Sequence, residues 1–586
     1  MPDWSPGAPD RVVYESTESG VWQVHCWDVA SGARRQVTDH PVGVVAGSVT
    51  PDGADVLWWQ DETGDESGQW YVAPFAGGDA RPLLDGIPQG WNEGFAQAPG
   101  VVAASVSDRG GFAVYVAVDG GPAKELFRSA DWLRVSGPDD ASYNRGGLSA
   151  DGSLLCLQHC EGGDMLHPAL RVIDPRTSAV VADLRDDGKS LATAAWSPVA
   201  GDGRLAVIHE RSGEEATAIW EPATGSWTNL PIGLPGLVVA YDWWPDASAL
   251  LLANLVEGRH RLYRYELATG ELTPIEHPDG QISAARVRPD GAVWLHWGSG
   301  AGAPRNLDDR GDEVLRAEGE RAPAGRPYVS FRFDNQHGQS VHGFYVTPEG
   351  DGPFPVLVRP HGGPTWLDED RWSPEAQAYV DAGFAVAMIN YRGSTGYGAE
   401  WRDALTGDIG GPELEDLNAG LEWLVQHGVA DPARAVVGGW SWGGYLTLME
   451  LGKHPDLWLC GVAGIPVGDY ELSYDDMSPD LQAYDRALLG GRPDEVPALM
   501  LDRNPINFAD DVRVPVLFII GENDSRCPYR QAIAYVDKLA ARDHPHEVYL
   551  FGTGHGSFDT EEDVRQVGTI LAFLAKHVPG IQVPTT

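Results

Sequence analysis

Residues 434–453 read RAVVGGWSWGGYLTLMELGK, and this stretch decides the fold of the second half of the chain. A short β-branched run, Arg434 to Trp440, enters Ser441 and leaves as a segment that reads as helix. Gly439-Trp440-Ser441-Trp442-Gly443 therefore falls on a strand–turn–helix, the context in which a serine hydroxyl is presented on a tight, strained turn. The flanking glycines have a physical role, because side chains there would collide with the neighbouring strand and helix. Glycine is abundant in this chain (72 residues), so the short pattern alone carries little weight. Its single occurrence, and its place between a strand and a helix, give it meaning.

A serine nucleophile needs a base, and in this type of fold the partners follow in the order serine, acid, histidine. Five histidines follow Ser441: His454, His544, His546, His555 and His577. His454 ends the elbow helix, His544 and His546 precede a strand, and His577 ends the last helix. His555, in GTGHGSF, sits in a Gly-flanked loop just past a late strand and is read as the base. The acid belongs on the loop after the preceding strand, VPVLFIIG, where GENDSRCP offers Glu522 and Asp524. Asp524 lies further past the strand end and is preferred. Its role would be to hold the His555 tautomer and stabilise the imidazolium. Two oxyanion donors are expected: the backbone N–H of Trp442, and one from the loop His361-Gly362-Gly363-Pro364 after the third strand.

Outward from this motif, strands alternate with helices. VSFRFD, VHGFYVTP, FPVLVRP, FAVAMINY, RAVVGGW, LCGVAGI, VPVLFIIG and HEVYLFG read as strands, and 413–428, 529–543 and 560–578 as helices. The alternation predicts a mostly parallel sheet covered on both faces, an α/β-hydrolase domain over 321–586. A Gly/Pro/charge-rich connector, AEGERAPAGRPY (317–328), precedes it.

The first 320 residues repeat. A short apolar strand follows a Pro/Asp/Gly turn in VTPDGADVLWWQ (49–60), LSADGSLLCLQH (148–159), WWPDASALLLANL (243–255) and VRPDGAVWLHWG (287–298), with degenerate copies at 97–107 and 196–210. Anchored on Pro51, Pro99, Asp151, Pro198, Pro245 and Pro289, the steps are 48, 52, 47, 47 and 44 residues. Each unit adds a strand pair around a Gly-bearing turn, as in QWYVAPFAGGDARPLL (69–84), and a leading copy lies at 22–38. Four short strands per unit at this period predict a β-propeller of about seven blades over 1–320.

Composition excludes several functions. Lys plus Arg is 42 against 85 Asp plus Glu, a formal charge of −43, so phosphate-rich partners and anionic membranes are not expected. No apolar run approaches the ~20 residues of a membrane span, and the N-terminus MPDWSPGAPDR lacks signal-peptide character. Five scattered cysteines show no metal spacing and read as thiols, so a reducing cytoplasmic location is expected. Gly188-Lys189-Ser190 lacks a P-loop glycine, since position 183 is Asp, and His546-Glu547 is not followed by a zinc-binding histidine. No cofactor or metal is expected.

HGGP (361–364), NYRGSTGYG (390–398), GDIGG (407–411), DPARAVVGGWSWGGY (431–445), GENDSRCP (521–528) and GTGHG (552–556), behind a propeller, resemble the prolyl oligopeptidase family, most closely its acylaminoacyl-peptidase and aminopeptidase branch. The resemblance implies a Ser441–Asp524–His555 triad with Gly363 and Trp442 as oxyanion donors. It further implies that Arg526 grips a substrate carbonyl and that Val467 and Tyr470 line the specificity pocket. This chain departs from the family pattern at Trp440 and Trp442, where tyrosine is usual, and at Cys527, where valine is usual. Relatives of this kind include hydrolases that inactivate aminoacyl-nucleoside antibiotics such as puromycin.

The reading is a serine peptidase or amidase acting on short peptides or aminoacyl amides through an acyl-enzyme on Ser441. A carboxylesterase shares the triad but leaves the propeller unexplained, and an intact triad argues against a non-enzymatic scaffold. A propeller capping the catalytic loops would admit short peptides and exclude folded proteins. For a free substrate amine the propeller offers too many carboxylates to choose between, Glu66, Glu161, Glu214 and Glu215 among them.

Overall fold

The computed structural model describes residues 2–136 and 146–583. The chain divides into two compact units, Met1–Glu62 with Glu66–Gly298 and Pro304–Glu320, and Thr63–Asp65 with Ser299–Ala303 and Arg321–Thr586.

The first unit is a β-propeller of seven four-stranded meanders. Five are separate sheets, and the second and third are joined into one eight-stranded sheet. The join is short, Ser67 opposite Trp91 and Gly68 opposite Gly90. The Pro/Asp/Gly turns read from the sequence link the first and second strands of a blade. Thr50-Pro51-Asp52-Gly53, for example, lies between Gly47–Val49 and Asp55–Asp61. The Gly-bearing turns link the third and fourth strands, as between Gln23–Asp28 and Ala33–Gln36.

Among the described residues the strands of each blade are consecutive in the chain, and none is exchanged between the first blade and the last. Side chains join these two instead. The Arg286 guanidinium lies 4.3 Å from the centre of the Trp4 ring and donates to Asp3 Oδ1 at 2.6 Å. Arg288 lies over Trp294 at 4.3 Å, and Trp294 meets Trp4 edge to face at 5.1 Å.

The second unit carries one eight-stranded sheet. Its order is Val329–Asp334, Ser340–Val346, Ala385–Asn390, Phe354–Val358, Ala430–Trp440, Gly461–Gly464, Val516–Gly521 and His546–Phe551. The first two pairings are antiparallel and the rest parallel. Val516–Gly521 is buried at every position, as a strand covered on both faces must be. One cover is the last helix, Thr560–His577, whose Ile570, Leu571, Phe573 and Leu574 pack with Val436, Leu517 and Ile519. That helix opens on an Asp559 cap and three acidic residues, which suit the positive end of the helix dipole. Among the described residues no helix is long and apolar enough to cross a membrane.

Candidate active site

Three loops at the carboxyl ends of parallel strands, where α/β sheets bind ligands, line one cavity. The first is the elbow. Ala430–Trp440 leads into Ser441, and Trp442–Lys453 is the helix that follows. Ser441 has φ 57° and ψ −117°, a conformation L-residues rarely adopt, and its N–H donates to Gly464 O at 2.9 Å. The turn is too crowded for side chains on its glycines. A Cβ on Gly443 would stand 2.2 Å from Pro360 O, and one on Gly439 2.6 Å from the same oxygen.

The second loop follows Val516–Gly521 and carries Asp524, whose side chain has no exposed surface. Its Oδ1 accepts the backbone N–H groups of Arg526 and Cys527, both at 2.8 Å. The third follows His546–Phe551 and carries His555, with Nδ1 at 3.0 and 2.9 Å from the two Asp524 oxygens. A carboxylate only accepts, so Nδ1 carries the hydrogen and Nε2 is left to accept one. Glu522, the other acid on the loop, is exposed. The other four histidines are engaged elsewhere: His454 with Glu450, His544 with Val514 O, His546 with His544 O, and His577 against Phe573.

Ser441 and His555 line the same cavity of about 990 Å³. Among the described residues Ser441 Oγ makes no hydrogen bond to His555, and Cys527 Sγ lies 4.0 Å from it. Triad hydrogen bonds are often long without substrate. Cys527 Sγ, a His555 ring nitrogen and an Asp524 oxygen lie within 4.8 Å of one another. Burial first, then the Asp524 charge, pushes the Cys527 thiol well above its ordinary value, so it stays protonated and packs as a small apolar group.

The loop His361-Gly362-Gly363 runs beside the elbow, and a Cβ on Gly362 would lie 4.0 Å from Ser441 Oγ. The His361 ring stacks on Tyr391 at 4.2 Å and holds Ser394 Oγ at 2.8 Å, while Tyr391 Oη donates to His361 O. Gly363 has φ 123°, and its N–H has no acceptor among the described residues. Trp442 opens its helix, so its N–H is one of those left without an intrahelical partner. Gly363 and Trp442 line the same cavity as the Ser441 hydroxyl.

Val467, Tyr470, Arg526 and Cys527 all line the cavity. Other lining residues carry no signal in the sequence, among them Trp366, Asp368, Glu375, Tyr484 and Asp485. Glu375 bonds the Trp440 indole N–H at 3.1 Å and pairs with Arg359 at 3.2 Å. Asp485 is one of several acids between 475 and 485, and no spacing marks it out. In the propeller unit, Glu161 is paired with Arg171 at 2.6 Å.

The fold and these loops define an α/β-hydrolase unit with a Ser–Asp–His constellation. Residues 371–580, most of the α/β unit, match the sequence profile of the prolyl oligopeptidase family. The chain is 32% identical over 215 residues to the acylamino-acid-releasing enzyme of Sus scrofa, 34% of this chain and 28% of that protein. It is 29% identical over 241 residues to dipeptidyl aminopeptidase BIII of Pseudoxanthomonas mexicana, 40% of this chain and 35% of that one. The alignments thus span about a third of the curated relatives. Likeness of fold extends further. A crystal structure of puromycin hydrolase superposes with TM-score 0.81 at 24% identity, covering 99% of this chain and 96% of that one. A puromycin-hydrolyzing peptidase of Mycobacterium tuberculosis gives TM-score 0.81 at 21% identity, over 99% of this chain and 94% of that one.

Proposed function

We propose that the protein is a serine peptidase or amidase that cleaves short peptides or aminoacyl amides through an acyl-enzyme on Ser441. The observation that carries this reading is the joint geometry of Ser441 on a strained elbow, His555 held through Nδ1 by buried Asp524, and Gly363 and Trp442 lining the same cavity as the hydroxyl.

Ser441 Oγ attacks the scissile carbonyl as His555 Nε2 takes its proton. The developing oxyanion receives the N–H groups of Gly363 and Trp442, each worth about 3–4 kcal/mol of barrier. His555 then gives the proton to the leaving amine, and water repeats the sequence to release the acid. Arg526 holds a substrate carbonyl, and Val467, Tyr470 and Cys527 face the acyl residue. A carboxylesterase would use the same steps. The peptidase reading is favoured because the relatives that align include an acylamino-acid-releasing enzyme and a dipeptidyl aminopeptidase. The fold neighbours named for puromycin hydrolysis make an aminoacyl-nucleoside amide a substrate to try first. The five cysteines are buried as thiols, which supports a reducing cytoplasmic location.

The test is turnover of aminoacyl, N-acyl-aminoacyl and X-Pro anilides and of puromycin against matched esters, with Ser441→Ala as control. Ser441→Ala should lose at least about a thousandfold in kcat and all labelling by an organophosphonate. Hydrolysis of esters alone would make it an esterase. Retained activity in Ser441→Ala would remove the serine from the mechanism.

A further inference from the structure

Val467, Tyr470, Met477, Leu481 and Tyr484 line the cavity, as do four carboxylates, Asp368, Glu375, Asp485 and Asp563. Asp485, on the helix Pro479–Leu489, lines the cavity and is only 5% exposed. Its single hydrogen bond comes from Tyr470 Oη to Oδ1, at 3.2 Å. No Lys, Arg or His pairs with it among the described residues, and the charge that acts on it is another acid, Asp480.

A buried carboxylate without a cation is expensive, and interiors avoid it unless something compensates. Burial pushes the Asp485 carboxyl up to about 7, with Tyr470 opposing that and Asp480 adding to it. Near neutrality the group is thus divided between its two forms, and a cation arriving beside it draws it to the charged one. Among the described residues no Lys, Arg or His forms an ion pair with it, and the cavity that it lines also holds Ser441. The missing charge is therefore one a ligand brings.

Resting on the peptidase reading above, we propose that Asp485 is the specificity carboxylate of this cavity, selecting an acyl residue whose aliphatic side chain ends in a primary amine or guanidinium. The stem of such a side chain suits Val467, Met477 and Leu481, and its head suits Oδ2, the oxygen that Tyr470 does not use. Lysine, ornithine and arginine have this form. An acidic side chain would meet a second carboxylate and be rejected.

The test compares lysyl, norleucyl and glutamyl p-nitroanilides, each with free and with acetylated α-amine, on wild type and Asp485→Asn. Norleucine keeps the stem and removes only the ammonium. Wild type should favour lysyl over norleucyl by at least about thirtyfold in kcat/KM, with or without the acetyl group, and should not turn over glutamyl. In Asp485→Asn that preference should collapse to within about threefold, with phosphonate labelling of Ser441 showing that the site is intact. Equal rates for lysyl and norleucyl in wild type, or an equal loss of both in the variant, would overturn the proposal. A preference that vanishes on acetylation would assign the carboxylate to the α-ammonium instead and overturn it too. Calorimetry of Ser441→Ala with lysinamide and norleucinamide separates this proposal from the one beneath it. Tighter lysinamide binding that needs Asp485 supports it even where no anilide is cleaved, and equal binding refutes it.

Discussion

His555 Nδ1 faces both oxygens of Asp524, at 2.9 and 3.0 Å, but the two oxygens are not equivalent. Oδ1 also accepts the N–H groups of Arg526 and Cys527, whereas among the described residues Oδ2 has only the histidine. The loop GENDSRCP thus builds a socket that fixes the carboxylate before the histidine is considered, and the carboxylate in turn fixes the tautomer.

This asymmetry makes Asp524→Asn a sharp test. The two backbone donors hold the amide oxygen at the Oδ1 position, which places the amide NH2 against Nδ1. His555 must then accept at Nδ1 and carry its hydrogen on Nε2, where it cannot take the Ser441 proton. We expect kcat to fall about ten-thousandfold with the thermal transition little changed. Phosphonate labelling of Ser441 should slow in parallel. A loss under tenfold would remove Asp524 from the mechanism.

Gly443→Ala tests the elbow. The new Cβ would stand 2.2 Å from Pro360 O and 3.3 Å from His361 O, both backbone atoms of the strand-end loop that carries Gly363. The loop must move, taking one proposed oxyanion donor with it. The expected result is destabilisation of about 1–3 kcal/mol and a kcat lower by about a hundredfold, with a smaller change in KM. Unchanged kcat in a destabilised protein would separate the packing from the chemistry.

The two halves were legible for different reasons. Repeats at 44–52 residues expose a propeller because every blade must solve the same packing problem with the same turn. The elbow was legible because a strand entering a helix through one residue leaves room for little but glycine around it. The strand order, with Ala385–Asn390 inserted between Ser340–Val346 and Phe354–Val358, was not, since nothing in a strand's own residues states its neighbour. Asp485 was invisible for a related reason. What sets it apart is that no cation pairs with it among the described residues, and an absence in space leaves no mark on the sequence. The side-chain closure of the propeller through Trp4, Arg286 and Trp294 joins residues nearly the whole unit apart, beyond any periodicity.

That closure yields a stability prediction. Arg286 and Asp3 are each about nine-tenths buried or nearly so, with 13% and 14% of their side chains exposed. Removing Arg286 takes the guanidinium from Asp3, whose other oxygen still accepts from Ser48 Oγ at 2.8 Å. Arg286→Met should cost about 3 kcal/mol in unfolding of the propeller unit, and the double variant with Asp3→Asn should recover part of it. Additive losses in that cycle would show that the pair is not coupled. Phosphonate labelling of Ser441 gives a separate readout of the α/β unit.

The last prediction concerns pH and Glu413, a fully buried acid at the start of the helix Pro412–Gln426. Burial pushes its carboxyl up to about 7 from an ordinary 4.5, against the N–H groups of Gly410 and Gly411 and the Trp442 side chain, which favour the charged form. Tyr391 and Tyr445 pack near it, and its charge raises both phenols further above their ordinary value. Between pH 4.5 and 7 the folded protein keeps a proton on Glu413 that the unfolded chain has released. The native state binds more protons in this window, so this group's contribution to stability declines as pH rises through it and is level on either side. Glu413→Gln cannot ionise, and the mismatch of its amide with two N–H donors is a constant cost at every pH. The stability of wild type relative to Glu413→Gln should therefore fall by about 3 kcal/mol from pH 4.5 to 7.5 and then stay flat. Denaturant unfolding of the pair at half-unit pH steps reads this difference directly, with the contributions of other titrating groups cancelling. A difference that is flat through the window, or that grows with pH, would mean that Glu413 is charged in the folded protein and that its glycine N–H groups outweigh its burial.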